Sequence, residues 1–168
     1  MKKILPFLLL VLTMASCSQD IQFNDQAVFQ GMKDNVFWKG GNAKAVLDAN
    51  GRLTISAATI NETMTLSIPE PATTIDPKNK NTYITYALGT NAVNKAVYVL
   101  KSGGVEYGYE TGTAIGDGEI VISQYDGFTI SGSFRFNAKN TDPGSEAAEL
   151  VNLQHGVLYK IPITELAQ

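Results

Sequence analysis

The chain has 168 residues, 13 of them basic and 16 acidic, with one histidine, one cysteine and a formal net charge of −3. A net-acidic chain excludes a broad positive surface for nucleic acid or for anionic lipid. One cysteine and one histidine exclude a disulfide framework and the usual zinc ligand sets, while the length suffices for a single hydrophobic core.

The chain opens on Met1-Lys2-Lys3, and residues 4–14, ILPFLLLVLTM, carry no charge. A basic start, a short apolar run and then small Ala15 and Ser16 form a secretory signal. The run is about half the ~20 residues that a spanning helix requires. Small residues placed before Cys17 resemble the lipobox of bacterial lipoproteins, a class in which the cysteine sulfur is acylated and becomes the first mature residue. One acyl chain holds a protein only weakly, whereas two or more anchor it stably. Residues 1–16 are therefore read as a lipoprotein signal peptide, 17–25 as a lipidated tether and 26–168 as one β domain. Cleavage removes Lys2 and Lys3 and no acid, so the mature chain is more acidic still.

After the tether, period two dominates. Leu53, Ile55 and Ala57 alternate with Arg52, Thr54 and Ser56, and Met64, Leu66 and Ile68 alternate with Thr63, Thr65 and Ser67. The longest case places Phe128, Ile130, Gly132, Phe134, Phe136 and Ala138 on one face. Near the end, Val157, Tyr159, Ile161 and Ile163 alternate with Leu158, Lys160, Pro162 and Thr164. Such alternation predicts strands with one buried face. Pro162 cannot donate to a ladder, so the last strand is expected to be an edge there or to leave the sheet. Asn50-Gly51, Asn61-Glu62, Ser102-Gly103-Gly104 and Asp126-Gly127 supply turns between the runs. This spacing predicts an all-β fold, an antiparallel sandwich or flattened barrel of about 8–10 strands. The best helical candidate is SEAAELV, residues 145–151, which Ser145 could cap, with a loop as the alternative. Two long connections, residues 69–81 and 137–149, interrupt the rhythm.

Little in the domain points to chemistry. His155-Gly156 reads as a turn, and no nucleophile elbow accompanies the histidine. Glu106 and Glu110 share one face of a strand but lie about 13 Å apart at the usual rise, too far for a glycosidase pair at ~5–9.5 Å. Asp142, Glu146 and Glu149 lack the spacing of a calcium loop. Aromatic residues are the better signal, because Tyr and Trp join an apolar face to a polar tip that suits sugars and small molecules. The candidate ligand contacts are Trp38, Tyr83, Tyr86, Tyr107 and Tyr109. Adjacent Phe37 and Trp38 must face opposite sides of a strand, so one of them is expected in the core.

The segments VFW, NETMTLSIP, GEIVISQYD, ISGSFRFNA and GVLYKIPI resemble a family of small Bacteroidota lipoproteins classed as a domain of unknown function. The resemblance implies a β-rich, lipid-anchored protein of the outer membrane, displayed on its periplasmic face or at the cell surface, and it implies no catalytic residues. The resulting expectation is a non-enzymatic binding or accessory module with no catalytic residue, no metal and no cofactor beyond the lipid on Cys17. Its expected partners are the membrane, through the lipid, and a small molecule or glycan; nucleic acid is not among them. The oligomeric state is left open. Two alternatives are a lipocalin-like barrel holding a lipophilic molecule in a deep apolar cavity and a carboxylate-based hydrolase of glycans.

Overall fold

A computed structural model describes residues 26–165. Cys17 and the segments read as signal peptide and tether lie outside the described residues. Ten strands follow one another: β1 (Val28–Lys33), β2 (Val36–Leu47), β3 (Arg52–Ala58), β4 (Glu62–Pro69), β5 (Ile84–Leu88), β6 (Lys95–Ser102), β7 (Val105–Glu110), β8 (Asp117–Tyr125), β9 (Thr129–Asn140) and β10 (Leu150–Glu165). They form one sheet in the order β1-β10-β2-β3-β4-β6-β7-β9-β8-β5, with β1 also paired to β2 and β10 to β9.

The extra pairings close the sheet on itself. Strand β9 pairs with β8 and β10 over most of its length, and its last residues, Lys139 and Asn140, reach β7. Strand β10 pairs antiparallel with β9 and, through Ile163, Thr164 and Glu165, parallel with β2. The ring thus runs β2, β3, β4, β6, β7, β9, β10 and back to β2, while β8 and β5 leave it as a flap. The result is a flattened barrel, within the expected class and strand count.

Alternation explains the interior. Leu53, Ile55 and Ala57 of β3 and Met64, Leu66 and Ile68 of β4 are buried, as are Phe134, Phe136 and Ala138 of β9. The expected face of β9 fails at Phe128, which is 80 % exposed because it belongs to the turn before the strand, and at Gly132, which is only partly buried while Ser131 of the opposite face is buried. Phe29 packs edge-on against Trp38 and Phe134, with ring centroids 5.7 and 5.1 Å apart. Gly156 makes room for this cluster, since a Cβ there would meet the Phe134 ring at 2.6 Å.

Strand β10 departs from simple alternation. The three steps from Leu153 to Gly156 span two steps of β9, Phe136 to Phe134, and the same happens between Leu158 and Ile161. Each extra residue is a bulge, and His155 and Lys160 carry the positive φ values of 51° and 46° that these bulges impose. A one-residue insertion moves every later side chain to the other face. Hence Leu158 is buried while Val157 and Tyr159 are exposed, contrary to the face predicted for them; the second bulge restores Ile161 to the core. His155-Gly156 is accordingly a bulge inside a strand, not a turn. Pro162 falls where β10 exchanges β1 for β2 along one edge, so its missing N–H leaves no ladder bond unmade.

Two other expectations change. Residues 145–149 form bends, not a helix, and Leu150 already begins β10. There the Ser145 hydroxyl accepts from Asn140 Nδ2 at 2.8 Å instead of capping a helix. The long connection at 69–81 is tied down midway: Ile75 is buried and exchanges two backbone bonds with Tyr125 of β8. The carboxylates Glu106 and Glu110 face outward and pair with Lys101 and Lys95 of β6, at 3.5 and 2.6 Å.

Candidate functional site

At one end of the barrel the inward-facing register brings polar groups inside. Strand β1 buries Phe29 and Gly31, and the next residue on that face is Lys33. Strand β4 buries Met64, Leu66 and Ile68, and the same parity read backwards gives Glu62, its first residue. Strand β6 contributes Tyr98, β7 contributes Tyr107 and Tyr109, and β2 contributes Trp38, which is buried while Phe37 stays exposed. Gly40 permits the indole to lie along its own strand, because a Cβ there would sit 2.7 Å from the Trp38 ring.

These groups form a bonded cluster. The Lys33 ammonium pairs with the Glu62 carboxylate and donates to the Tyr98 hydroxyl at 2.8 Å; Tyr98 in turn donates to Glu62 Oε1 at 2.5 Å. Lys33 Nζ also lies 5.1 Å from the Tyr98 ring centroid, within range of a cation–π contact. Burial would push the Glu62 carboxyl up, but its bonds to Lys33 and Tyr98 and the Lys33 charge outweigh burial and hold it below the usual carboxylate range. Burial, the bond to Glu62 and the nearby carboxylates push the Tyr98 phenol far above its ordinary value. The Trp38 Nε1–H is buried beside this cluster. It is close enough to favour the charged Glu62, yet it makes no hydrogen bond. A buried donor without a partner costs free energy.

Above the cluster opens a depression of about 410 Å³. Tyr98, Tyr107, Tyr109 and Leu100 line one side, and Glu146, Ala147 and Ala148 of the connection into β10, with Leu150 and Val151 of β10, line the other. Asp34, in the β1–β2 turn, and Glu146 add carboxylates to its rim. Asp34 shares the depression with the tyrosines, and burial, the Asp34 charge and Tyr107 raise the Tyr109 phenol.

Residues 25–162 match the family described as a domain of unknown function (DUF6252). The chain belongs to this family. Neither the curated proteins nor the solved structures contain a match. The family segment begins after Cys17, so the match covers the barrel and not residues 1–24.

Within this DUF6252 domain, three of the five aromatic residues singled out from the sequence come together: Tyr107 and Tyr109 in the wall and Trp38 beneath it. The other two lie elsewhere. Tyr83 donates to the Pro77 carbonyl at 2.8 Å inside the 69–81 connection. Tyr86 is half-buried on β5, where burial raises its phenol. His155, in its bulge on β10, flanks a separate shallow groove with Arg135 and Asn152. No three His, Cys, Asp or Glu side chains among the described residues converge to hold a metal. Sequence reading missed Lys33, Glu62 and Tyr98. A signal existed for Glu62, because extending the Met64–Leu66–Ile68 register by one step puts a carboxylate on a buried face.

Proposed function

We propose that this chain is a lipid-anchored protein of the outer membrane, held by acyl chains on Cys17, and that its barrel is a non-enzymatic binding module. The ligand site is the depression over Lys33, Glu62 and Tyr98. One observation carries the reading: a barrel end lined by tyrosines forms a depression over an inward-facing ion pair. A merely packed end would hold apolar side chains instead. The volume is in the range of small-molecule sites. Non-enzymatic use is supported by the state of the groups, since Glu62 is committed to a cation and a phenol and Tyr98 is held neutral. Neither is poised near neutrality for proton transfer. Anchor and site are also compatible, because β1 runs from Val28 to Lys33 and so enters the barrel at the end remote from the depression.

The anchor is tested by feeding cells a fatty-acid probe. The native chain should incorporate it and fractionate with membranes, and Cys17→Ala should do neither. A native chain that carries a free thiol and stays in the soluble fraction overturns the anchor. Protease added to intact cells then assigns the barrel to the cell surface or the periplasmic face.

A further inference from the structure

The depression is rich in acceptors and poor in donors. Lys33 is the one cation in its wall, and two of its three protons go to Glu62 and Tyr98. What remains for a ligand is a set of oxygens. Asp34 accepts from the Asn152 backbone N–H at 2.9 Å through Oδ1 and leaves its other oxygen available. Neither Asp34 nor Glu146 makes an ion pair among the described residues. The Tyr109 hydroxyl has no hydrogen-bond partner among them either. Carboxylates only accept, and a phenol whose ionisation is suppressed can accept as well as donate.

A ligand must therefore bring donors. An anion would meet two uncompensated carboxylates. A neutral polyol could donate hydroxyls to the carboxylates but would leave their charge uncompensated. An ammonium group supplies both N–H donors and a positive charge, and charge-assisted hydrogen bonds are about twice as strong as neutral ones. Leu100, Ala147, Ala148 and Val151 offer apolar surface for an alkyl stem. The partly buried Tyr107 adds a ring at the same wall.

Resting on the reading that this depression is the ligand site, we infer that it binds a primary ammonium group on a short apolar stem, with Asp34 and Glu146 as its counter-charges and the Tyr109 hydroxyl as a further acceptor. The ammonium belongs either to a free amine or to a lysine side chain of another protein, and the test separates the two.

Trp38 is the only tryptophan of the chain and lies under the site, so its emission reports binding directly. The full lipidated chain in detergent micelles is titrated, by fluorescence and calorimetry, with butylammonium against butanol, with glucosamine against N-acetylglucosamine, and with a lysine peptide against its acetyl-lysine form. The charged member of each pair should bind more tightly. Its affinity should fall several-fold as salt rises from about 50 to about 500 mM, and about tenfold in the double variant Asp34→Asn/Glu146→Gln. Asparagine tolerates the φ of 47° at position 34 and still accepts from Asn152, so that variant keeps the turn. Binding of the free amines assigns a small molecule; binding of the lysine peptide alone assigns a protein partner. Neutral members that bind as tightly as the charged ones overturn the ammonium and leave the site standing. If no probe changes the Trp38 emission or releases heat, both the ammonium and the site are lost.

Discussion

Two tyrosine–carboxylate pairs hold this barrel, and they do different work. Tyr125 donates to Glu70, and the same tyrosine is bridged by its backbone to Ile75. That pair fastens the 69–81 connection to β8. Its acid is exposed, among the described residues no cation pairs with it, and the bridged Ile75 is buried. Tyr98 donates to Glu62 at the other pair, but there both groups lie inside the barrel end. A lysine completes the set and an indole N–H is left over. The chemistry of the two pairs is the same, and depth separates them. Solvent readily replaces the Glu70 bond, whereas the largely covered Glu62 has much less access to water.

Mutation at the two carboxylates should expose that difference most strongly. Glu62→Ala leaves Lys33 without its counter-ion at a site where both side chains are largely covered, 22 % and 17 % exposed. Breaking a fully buried pair costs roughly 3–5 kcal/mol, so a partly covered one should cost about 2–3 kcal/mol in urea unfolding. Glu70→Ala should cost about 1 kcal/mol or less, as expected for an exposed acceptor. Equal losses at both positions would erase the distinction between a buried cluster and a surface clasp.

The hydroxyls provide a smaller version of the same contrast. Tyr98→Phe keeps the ring but removes a donor from Glu62 and an acceptor from Lys33, for an expected loss of about 1–2 kcal/mol. Tyr125→Phe removes one bond to an exposed acid and should lose under about 1 kcal/mol. Thermal or urea unfolding of the two variants, side by side, measures the gap.

The pH dependence follows from the directions of the shifts. Glu62 has a folded pKa below its ordinary value of 4.5. The unfolded state therefore binds more protons just below that value, and stability rises with pH there. The advantage of the native chain over Glu62→Gln should be complete above about pH 5 and should shrink as pH falls through the folded value. At the alkaline end both regions agree. Tyr98 and Tyr125 have raised pKa values, so their contribution is complete below the ordinary phenol value of 10.0 and declines above it, as the unfolded phenols ionise first. Ultraviolet titration of each Phe variant against the native chain should show the delayed phenol missing in both. A native phenol at either position that titrates near 10.0 would contradict its burial.

Much of the barrel was legible in advance. Strands β3, β4 and β9 follow from period two, and the hairpin at Asn50-Gly51 follows from Gly51, whose φ is 72°. Trp38 as the buried member of its pair with Phe37 was half legible, since alternation requires that one face inward and does not say which. Strand β10 was misread because a bulge inserts a residue without any change in composition. The period continues on paper through Val157 and Tyr159, while in space the parity reverses at His155. Residues 145–151 look like a capped helix, but the sheet needs Leu150 and Val151 opposite Lys139 and Ala138, and that pairing prevails over local preference.

The site was legible only in fragments. Tyr107 and Tyr109 declare themselves as two rings on one face, whereas Lys33, Glu62 and Tyr98 each look ordinary where they stand. They are separated from Lys33 by 29 and 65 positions, and no local rule connects them.

By itself the sequence determined the elements: which runs are strands, which face of most of them is apolar, and where the tight turns fall. These depend on side-chain alternation and backbone sterics, which act over a few residues. Closure of the ring, the double partnership of β9, the two parity changes in β10 and the meeting of a lysine, a glutamate and a tyrosine at one barrel end were decided by the tertiary structure alone. Each depends on register between strands remote in the chain, and register is set by how all the buried faces pack at once.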